Sequence, residues 1–226
     1  MTARRIWVTR TRPGAEATAA RLAALGHEPV VQPLLEVRAI ADAVIDLAGV
    51  DALAFTSGQA IRAFASLSSE RRLAVFTVGE GTAALARAAG FADVSSADGD
   101  VRALAALIVG RQPRPSRVLA PGAREVAADL PALLAERGLA ATALAVYETL
   151  EAASPAPPER IGAVLIHSPK AARALAARLA GWPQASKIDA FAISEAAAAP
   201  LRRAGLRSVT AAPRPSEDSL LALLKG

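Results

Sequence analysis

The hydrophobic residues of this chain fall in short continuous runs, each followed by a polar turn and an amphipathic segment. Ala52–Phe55 (ALAF) and Ala163–Ile166 (AVLI) are two such runs. Apolar runs without polar alternation favour strands that are buried on both faces of a parallel sheet. The segment after Gly14 has helical spacing instead, with apolar residues at Ala19, Leu22, Ala23 and Leu25. Alternating β and α elements with short turns predict a doubly wound α/β fold.

The chain also repeats itself. Residues 4–26 align with residues 116–138 without a gap, and residues 73–91 align with residues 188–206. Between these segments, "FTSGQAIRAF" aligns with "IHSPKAARAL", which places Ser57 on Ser168. This self-similarity indicates the duplication of a unit of about 110 residues, a common size for one domain. The predicted fold class is therefore α/β, with two doubly wound, flavodoxin-like parallel-sheet domains.

The residue pattern leaves the boundary between the two domains open. Residues 110–117 and 153–162 are both rich in proline, and either segment is suitable as a linker. Residues 30–40 are extended, and their Leu35-Glu36 pair aligns with Tyr147-Glu148 in "AVYETL". A crossing of the chain through these two extended segments is the third alternative.

Composition is that of a globular protein, with 226 residues, of which 53% are hydrophobic and 21% charged. We expect no signal peptide, no membrane span and a cytoplasmic location. Cysteine is absent and there are only two histidines, so disulfides and a transition-metal site are not expected. His27 follows a predicted helix stop and is expected at the surface. His167 precedes Ser168, but the glycines of a hydrolase nucleophile elbow are missing.

The formal net charge of +5 raises the question of nucleic-acid binding. The basic residues, however, are mostly single arginines, the longest basic runs are pairs, and aromatic residues make up only 4% of the chain. Nucleic-acid binding normally needs a clustered basic patch. Scattered arginines suit a small polyanion at least as well.

Hydroxyl residues and glycines dominate the predicted carboxyl ends of the strands, where open α/β sheets bind ligands. Helix N-termini at these positions would offer unpaired N–H groups to carboxylates or phosphates. For any single serine there, a simple helix N-cap is the favoured interpretation, although the recurrence of the serines at duplicated positions supports both. Neither a dinucleotide-binding glycine pattern nor a P-loop is present. The candidate ligand-binding residues are Thr9, Arg10, Ser57, Gly79, Thr82, Ser168 and Ser194.

Several motifs together resemble the uroporphyrinogen-III synthase family over essentially the whole chain. They are "VTR", "LGHEPVVQPLLEV", "FTSGQAIRAF", "VGEGTAALARAAGF", "VYETL" and "HSPKAARAL". Two positions depart from the family pattern. Thr11 stands where the family often has proline, and Ala197 replaces the threonine that the first copy carries at Thr82.

The resemblance implies a discontinuous first domain (residues 1–34 and 150–226) and a second domain (residues 37–146). It places the two crossings at residues 33–37 and 147–150. The first domain would contain the strands around Ile6, Val30, Val164, Phe191 and Val209. The second would contain those around Leu53, Phe76, Val94, Val118 and Ala145.

The resemblance also implies an activity: cyclisation of hydroxymethylbilane to uroporphyrinogen III, with loss of water, inversion of ring D and no cofactor or metal. Tyr147, the only tyrosine, matches the family tyrosine near the leaving hydroxyl, although its position in the pattern alone favours packing. We expect a monomer, with transient contact to the preceding pathway enzyme. The alternatives are a two-lobed protein that binds or senses a small anion, and a nucleotide-dependent enzyme.

Overall fold

The computed structural model describes residues 3–125, 129–153 and 156–225, with only the backbone of Lys225. Residues 1–2, 126–128, 154–155 and 226, which include parts of the predicted domains and of the candidate linker 153–162, lie outside the described residues. The chain divides into two compact units. The first comprises Met1–Glu36 and Leu150–Gly226, and the second comprises Val37–Thr149.

Strands and helices alternate along most of the described chain, except that the second, third and fourth strands follow one another without a helix, as do the eighth and ninth. The strands are β1 (Arg5–Val8), β2 (Glu28–Val31), β3 (Leu35–Ala39), β4 (Ala52–Phe55), β5 (Ala74–Thr77), β6 (Val94–Ser96), β7 (Arg117–Ala123), β8 (Ala140–Glu151), β9 (Ala163–Ile166), β10 (Asp189–Ala192) and β11 (Ser208–Ala211). The helices are α1 (Gly14–Ala24), α2 (Gly58–Leu67), α3 (Glu80–Ala88), α4 (Val101–Gly110), α5 (Leu130–Ala135), α6 (Pro169–Leu179), α7 (Glu195–Ala198) and α8 (Glu217–Ala222).

Each unit is built on one sheet. The first sheet has the strand order β11-β10-β9-β1-β2, and all of these pairs are parallel. The second has the order β3-β8-β7-β4-β5-β6, with parallel pairing from β8 to β6. The predicted α/β fold class with two largely parallel sheets is confirmed.

The two repeats exchange strands between the units. The alignment of the repeats matches β7 to β1, the first part of β8 to β2 and its last part to β3, and β4–β6 to β9–β11. With this matching, the two sheets have the same strand order, that of flavodoxin-like folds, and β3 is an addition at one edge. Each unit therefore contains the first two strands of one repeat and the last three strands of the other.

Apolar layers cover both faces of each sheet, which explains the continuous apolar runs. In β1, Trp7 packs into one core of the first unit, while Ile6 and Val8 pack into another. Successive side chains of a strand point to opposite faces, so a strand between two layers of helices has no exposed face for polar residues. In the second unit, Leu53 and Ala54 of β4 likewise belong to different cores.

The chain passes between the units at β3 and β8, which are neighbours in the second sheet. The N–H of Ile40 donates to the carbonyl of Val146 (3.0 Å), and the N–H of Ala152 donates to that of Leu34 (2.9 Å). These partners run in opposite directions, so the two strands are antiparallel. The proline-rich segment 110–117 lies within the second unit, between α4 and β7.

Two local expectations are wrong. His27 is buried rather than exposed, because the chain turns at Gly26 (φ +82°) and the N–H of Arg4 then approaches His27 Nδ1 at 3.4 Å. On α1, Ala23 is exposed, and the buried stripe consists of Ala15, Thr18 and Leu22. A threonine belongs to this stripe because its hydroxyl has hydrogen-bond partners in the first unit, described below.

Candidate functional site

Tyr147 and Ser57 meet at the carboxyl edge of the second sheet. Ser57 follows β4 and is the N-cap of α2, where its Oγ accepts the N–H of Ala60 at 3.2 Å. Tyr147 lies on β8 opposite Ala123, and its hydroxyl is 3.1 Å from Ser57 Oγ. Tyr147 is half-buried, and both hydroxyls lie in a partly buried setting. The structure thus places next to each other two residues that were predicted as site residues for separate reasons.

Gly79 and Thr82 lie at the next strand end, after β5. Gly79 is the N-cap of α3, and its carbonyl accepts the N–H groups of Thr82 (3.0 Å) and Ala83 (3.1 Å). A Cβ added at Gly79 or Gly81 would meet nothing within 4 Å. The backbone at the start of α3 is therefore open to the approach of a ligand, as anion sites at helix starts require.

Arg124 was not among the predicted site residues, although it lies close to Tyr147. Its N–H donates to the carbonyl of Tyr147 at 2.8 Å, and its Nε is 3.3 Å from Glu148 Oε2. The side chain is 60% exposed. Its position directly after β7 was the available signal, because carboxyl ends of parallel strands share one edge of the sheet.

In the first unit, Ser168 and Ser194 also cap helices. Ser168 Oγ accepts the N–H of Ala171 at 3.1 Å, and Ser194 Oγ accepts that of Ala197 at 3.3 Å. Pro169 occupies the first turn of α6, where its missing N–H costs nothing. The prediction that Ser57, Ser168 and Ser194 are N-caps is confirmed. Capping uses one lone pair of each oxygen and leaves the hydroxyl proton available to a ligand.

The two positions that depart from the family pattern lie next to these helix starts. The carbonyl of Thr11 accepts the N–H of Ala15 at 3.2 Å, before the first turn of α1. Ala197 is fully buried within α7, whereas its counterpart Thr82 is half-buried in α3. The second copy of this loop therefore offers no side-chain hydroxyl at that position.

The structure places the hydroxyl of Thr9 inside the first unit. Thr9 is fully buried, and its Oγ1 donates to the carbonyl of Leu165 at 2.6 Å, which links the end of β1 to β9. In this arrangement the proton of Thr9 is already donated to the backbone.

Arg10 belongs to a group of four polar side chains, here called the Glu217 cluster: Arg10, Thr18, His167 and Glu217. Arg10 Nη1 lies 3.1 Å from Glu217 Oε2 and 3.2 Å from Thr18 Oγ1, and Thr18 donates to Glu217 Oε1 at 2.6 Å. His167 Nε2 is 3.0 Å from Glu217 Oε2. Burial raises the pKa of Glu217, but hydrogen bonds from His167 and Thr18 and the charge of Arg10 outweigh it and lower that pKa to about 2.

Glu217 and Thr18 were not among the site residues predicted from the sequence. Glu217 lies 207 positions from Arg10 along the chain, so nothing in the local pattern connects them. His167 was considered only as a neighbour of Ser168. Its second ring nitrogen, Nδ1, is buried without a hydrogen-bond partner in the described part of the molecule.

Among the described residues there is no group of three or more histidine, cysteine or acidic side chains placed to hold a metal ion. Within the same residues, no helix has the length and apolar character needed to cross a membrane.

The fold and its strand-end residues define a class: a two-unit, doubly wound α/β protein that presents hydroxyls, helix-start amides and one tyrosine at the carboxyl edges of its sheets. A family model described as "Uroporphyrinogen-III synthase HemD" matches residues 16–222. The chain belongs to the uroporphyrinogen-III synthase family, and the resemblance drawn from its motifs is confirmed.

Solved structures of two bacterial proteins share this fold. The uroporphyrinogen-III synthetase of Helicobacter pylori 26695 is 18% identical, with a TM-score of 0.70 and 99% of each chain covered. A mutant uroporphyrinogen III synthase of the extremely thermophilic bacterium Thermus thermophilus is 19% identical, with a TM-score of 0.53 and coverage of 99% of this chain and 98% of that one. At such identities the likeness shows the fold. Comparison with curated protein sequences finds no match.

Proposed function

We propose that this protein is a lyase that cyclises hydroxymethylbilane to uroporphyrinogen III, with loss of water and inversion of ring D. The observation that carries the proposal is the family match over residues 16–222. A protein that only binds or senses a small anion is the less favoured reading, because this family consists of synthases.

The main contribution that this reaction needs from the protein is to orient the substrate. The hydroxymethyl C–O bond breaks, the hydroxyl leaves as water after gaining a proton, and the pyrrole nitrogen of that ring loses one, which leaves an azafulvene. Ring D attacks the azafulvene through its substituted carbon and forms a spiro intermediate. The bond from that carbon to its original methylene bridge then breaks, and ring D closes inverted when its free α carbon bonds to the bridge and loses a proton. The bilane also closes without help, but then without inversion of ring D. Holding one conformation of a flexible chain can supply about 7–11 kcal/mol of the barrier at best.

Tyr147 is our candidate for assisting departure of the hydroxyl. Ser57 Oγ accepts from the Ala60 N–H, so its own proton can point to the Tyr147 oxygen 3.1 Å away. Tyr147 is then free to donate its proton to the leaving hydroxyl. Negative charge that develops on the phenol oxygen would be stabilised by the Ser57 hydroxyl and by the N-terminal end of α2.

The substrate carries eight carboxylates, and the helix starts supply groups to bind them. We assign this role to the open backbone at Gly79, to the hydroxyls of Thr82, Ser168 and Ser194, and to Arg10. Ser57 acts through Tyr147 instead, because its one proton is donated to the phenol oxygen. α7 has only four residues, so Ser194 would act through its hydroxyl rather than through a helix dipole. Thr9 would act indirectly, by fixing the end of β1 that carries Arg10.

We further propose that the protein acts as a monomer and receives its substrate by transient contact with the preceding enzyme. A bilane that closes by itself to the wrong isomer is best transferred without release into solution. Co-sedimentation of the two enzymes with and without substrate would test this contact.

An isomer assay tests the proposed reaction directly. The purified protein is incubated with hydroxymethylbilane, the product is oxidised, and the type I and type III isomers are separated. We expect mainly type III with the protein and type I with a heat-denatured control. Type I product at the spontaneous rate in both samples would refute the proposed function and favour a protein that only binds its ligand.

A further inference from the structure

The Glu217 cluster places two cationic or titratable side chains around one carboxylate at the carboxyl edge of the first sheet. Arg10 follows β1 and His167 follows β9, so adjacent strand ends bring them together. Glu217, the first residue of α8, accepts hydrogen bonds from Thr18 and Arg10 and lies 3.0 Å from His167. Side chains of His167 and Glu217 are only 7% and 19% exposed.

The duplicated unit shows that this fold does not need the cluster. The repeat alignment matches Arg10 to Gly122 and Thr18 to Leu130, and Thr56 precedes the capping Ser57 as His167 precedes Ser168. Val101 opens α4 as Glu217 opens α8. The second unit thus has the same strand order with no charge at any of these positions. Because burying charges costs desolvation energy, a role other than folding is indicated for the cluster.

The side chain of Arg10 is held in one place. A Cβ at Gly14 would lie 2.7 Å from Arg10 Nε, 2.8 Å from Cζ and 2.9 Å from Nη2, so the guanidinium lies directly on the first residue of α1. Nη1 is directed to Glu217 and Thr18, and 34% of the side chain is exposed. This is a pre-organised arginine, whose planar fork suits a carboxylate better than a mobile lysine would.

We propose that the Glu217 cluster forms a carboxylate-binding subsite in which Arg10 contacts the ligand, while Glu217, Thr18 and Gly14 position Arg10. The inference rests on the proposed function for the identity of its ligand, one carboxylate of hydroxymethylbilane. Glu217 and Thr18 touch no reacting atom, so their removal weakens binding and leaves the chemical step nearly intact.

Two variants disturb the position of Arg10 in different ways, and each has a matched control. Glu217→Gln removes the charge that holds the guanidinium; its control is Glu16→Gln, which removes an exposed partner of Arg12 on α1. Gly14→Ala displaces the Arg10 side chain; its control is Gly110→Ala at the end of α4, where a Cβ meets nothing within 4 Å. Melting temperatures of all four variants report on folding.

We expect Glu217→Gln and Gly14→Ala to raise the KM for hydroxymethylbilane by about 3- to 10-fold, with kcat changed less than about twofold, since a charged hydrogen bond of this kind is being weakened. Fluorescence titration with uroporphyrin, the oxidised eight-carboxylate product, should give a similar increase in Kd. The two control variants should match the wild type in both measurements.

The titration also separates this inference from the proposed function. If the wild type forms no type III isomer but uroporphyrin binding still weakens in both cluster variants, the proposed cyclisation is refuted and the carboxylate-binding subsite is supported. If KM and Kd stay within about twofold of the wild type in both variants, the subsite is refuted. A fall in melting temperature and kcat without a change in KM also refutes it and leaves the cluster a purely structural role.

Discussion

Removal of the Ser57 hydroxyl should affect both the stability of the second unit and the function of Tyr147. Ser57→Ala deletes the N-cap of α2 and the oxygen 3.1 Å from the Tyr147 hydroxyl. Ser168→Ala deletes a cap of nearly the same geometry in the first unit, where the N–H to Oγ distance is 3.1 Å against 3.2 Å at Ser57. There the position matching Tyr147 is Leu35, so no phenol is involved.

The magnitudes follow from these contacts. Loss of a serine cap costs about 1 kcal/mol, which lowers the melting temperature of a chain of this size by roughly 2–4 °C. Both alanine variants should show this loss. A neutral hydrogen bond to Tyr147 contributes about 0.5–1.5 kcal/mol, so Ser57→Ala should slow Tyr147-assisted chemistry by a further factor of about 2–10.

A double-mutant cycle with Tyr147→Phe, measured by single-turnover formation of type III product, isolates the second effect. We expect Ser57→Ala to slow the reaction in the wild-type background and to have little effect once Tyr147 is phenylalanine. Ser168→Ala should act to the same extent in both backgrounds, and Ser57→Thr should restore most of the rate. If the effects of Ser57→Ala and Tyr147→Phe simply add, the proposed link between the two hydroxyls is wrong. If Tyr147→Phe leaves the single-turnover rate unchanged, Tyr147 has no part in the chemistry.

Two further predictions concern stability. A Cβ at Gly58 would overlap Leu85 Cδ1 where α2 packs on α3, so Gly58→Ala should move the Leu85 side chain off its rotamer and destabilise the second unit by about 0.5–1.5 kcal/mol in denaturant unfolding. Gly110→Ala should not destabilise it, and equal denaturant-unfolding curves for the two variants would contradict this packing. A hydrogen bond from Arg207 is the main cause that lowers the pKa of Asp189 from 3.8 to about 2, and it outweighs burial, which raises that pKa. Because the pKa of Asp189 is lower in the folded protein than in the unfolded chain, the ionised carboxylate stabilises the fold fully above about pH 4. This stabilisation is lost as the pH falls towards 2. Asp189→Asn should therefore lower stability at pH 7 and flatten the decline of melting temperature between about pH 4 and pH 2, and an unchanged acid profile would refute this role.

Much of the local structure could be predicted because its causes lie close together in the sequence. A serine that caps a helix bonds an N–H three residues later, as Ser57, Ser168 and Ser194 all do. Strands covered on both faces need apolar residues at every position, so runs such as those of β4 and β9 show their burial directly. The alignment of the repeats extended these local patterns to two similar sheets.

Predictions failed where a residue depends on a partner that is distant in the chain. His27 was expected at the surface because it follows a helix stop, but Arg4, just before β1, approaches it, and the residue is buried. On α1 the apolar spacing indicated Ala23 for the buried face, but Ala23 is exposed, and Thr18 lies on the buried stripe because Glu217 accepts its hydrogen bond. The residues next to His27 and Thr18 in the sequence give no indication of these distant partners.

The sequence by itself determined the alternation of strands and helices, the duplication and the helix starts, since these depend on side-chain periodicity and on contacts within one turn of the backbone. Only the tertiary structure decided that Tyr147 lies beside Ser57 and that Arg10 lies on Glu217. The order of strands in a parallel sheet brings together residues that lie about 90 to 210 positions apart in the chain. That order is set by the packing of whole layers rather than by any local pattern.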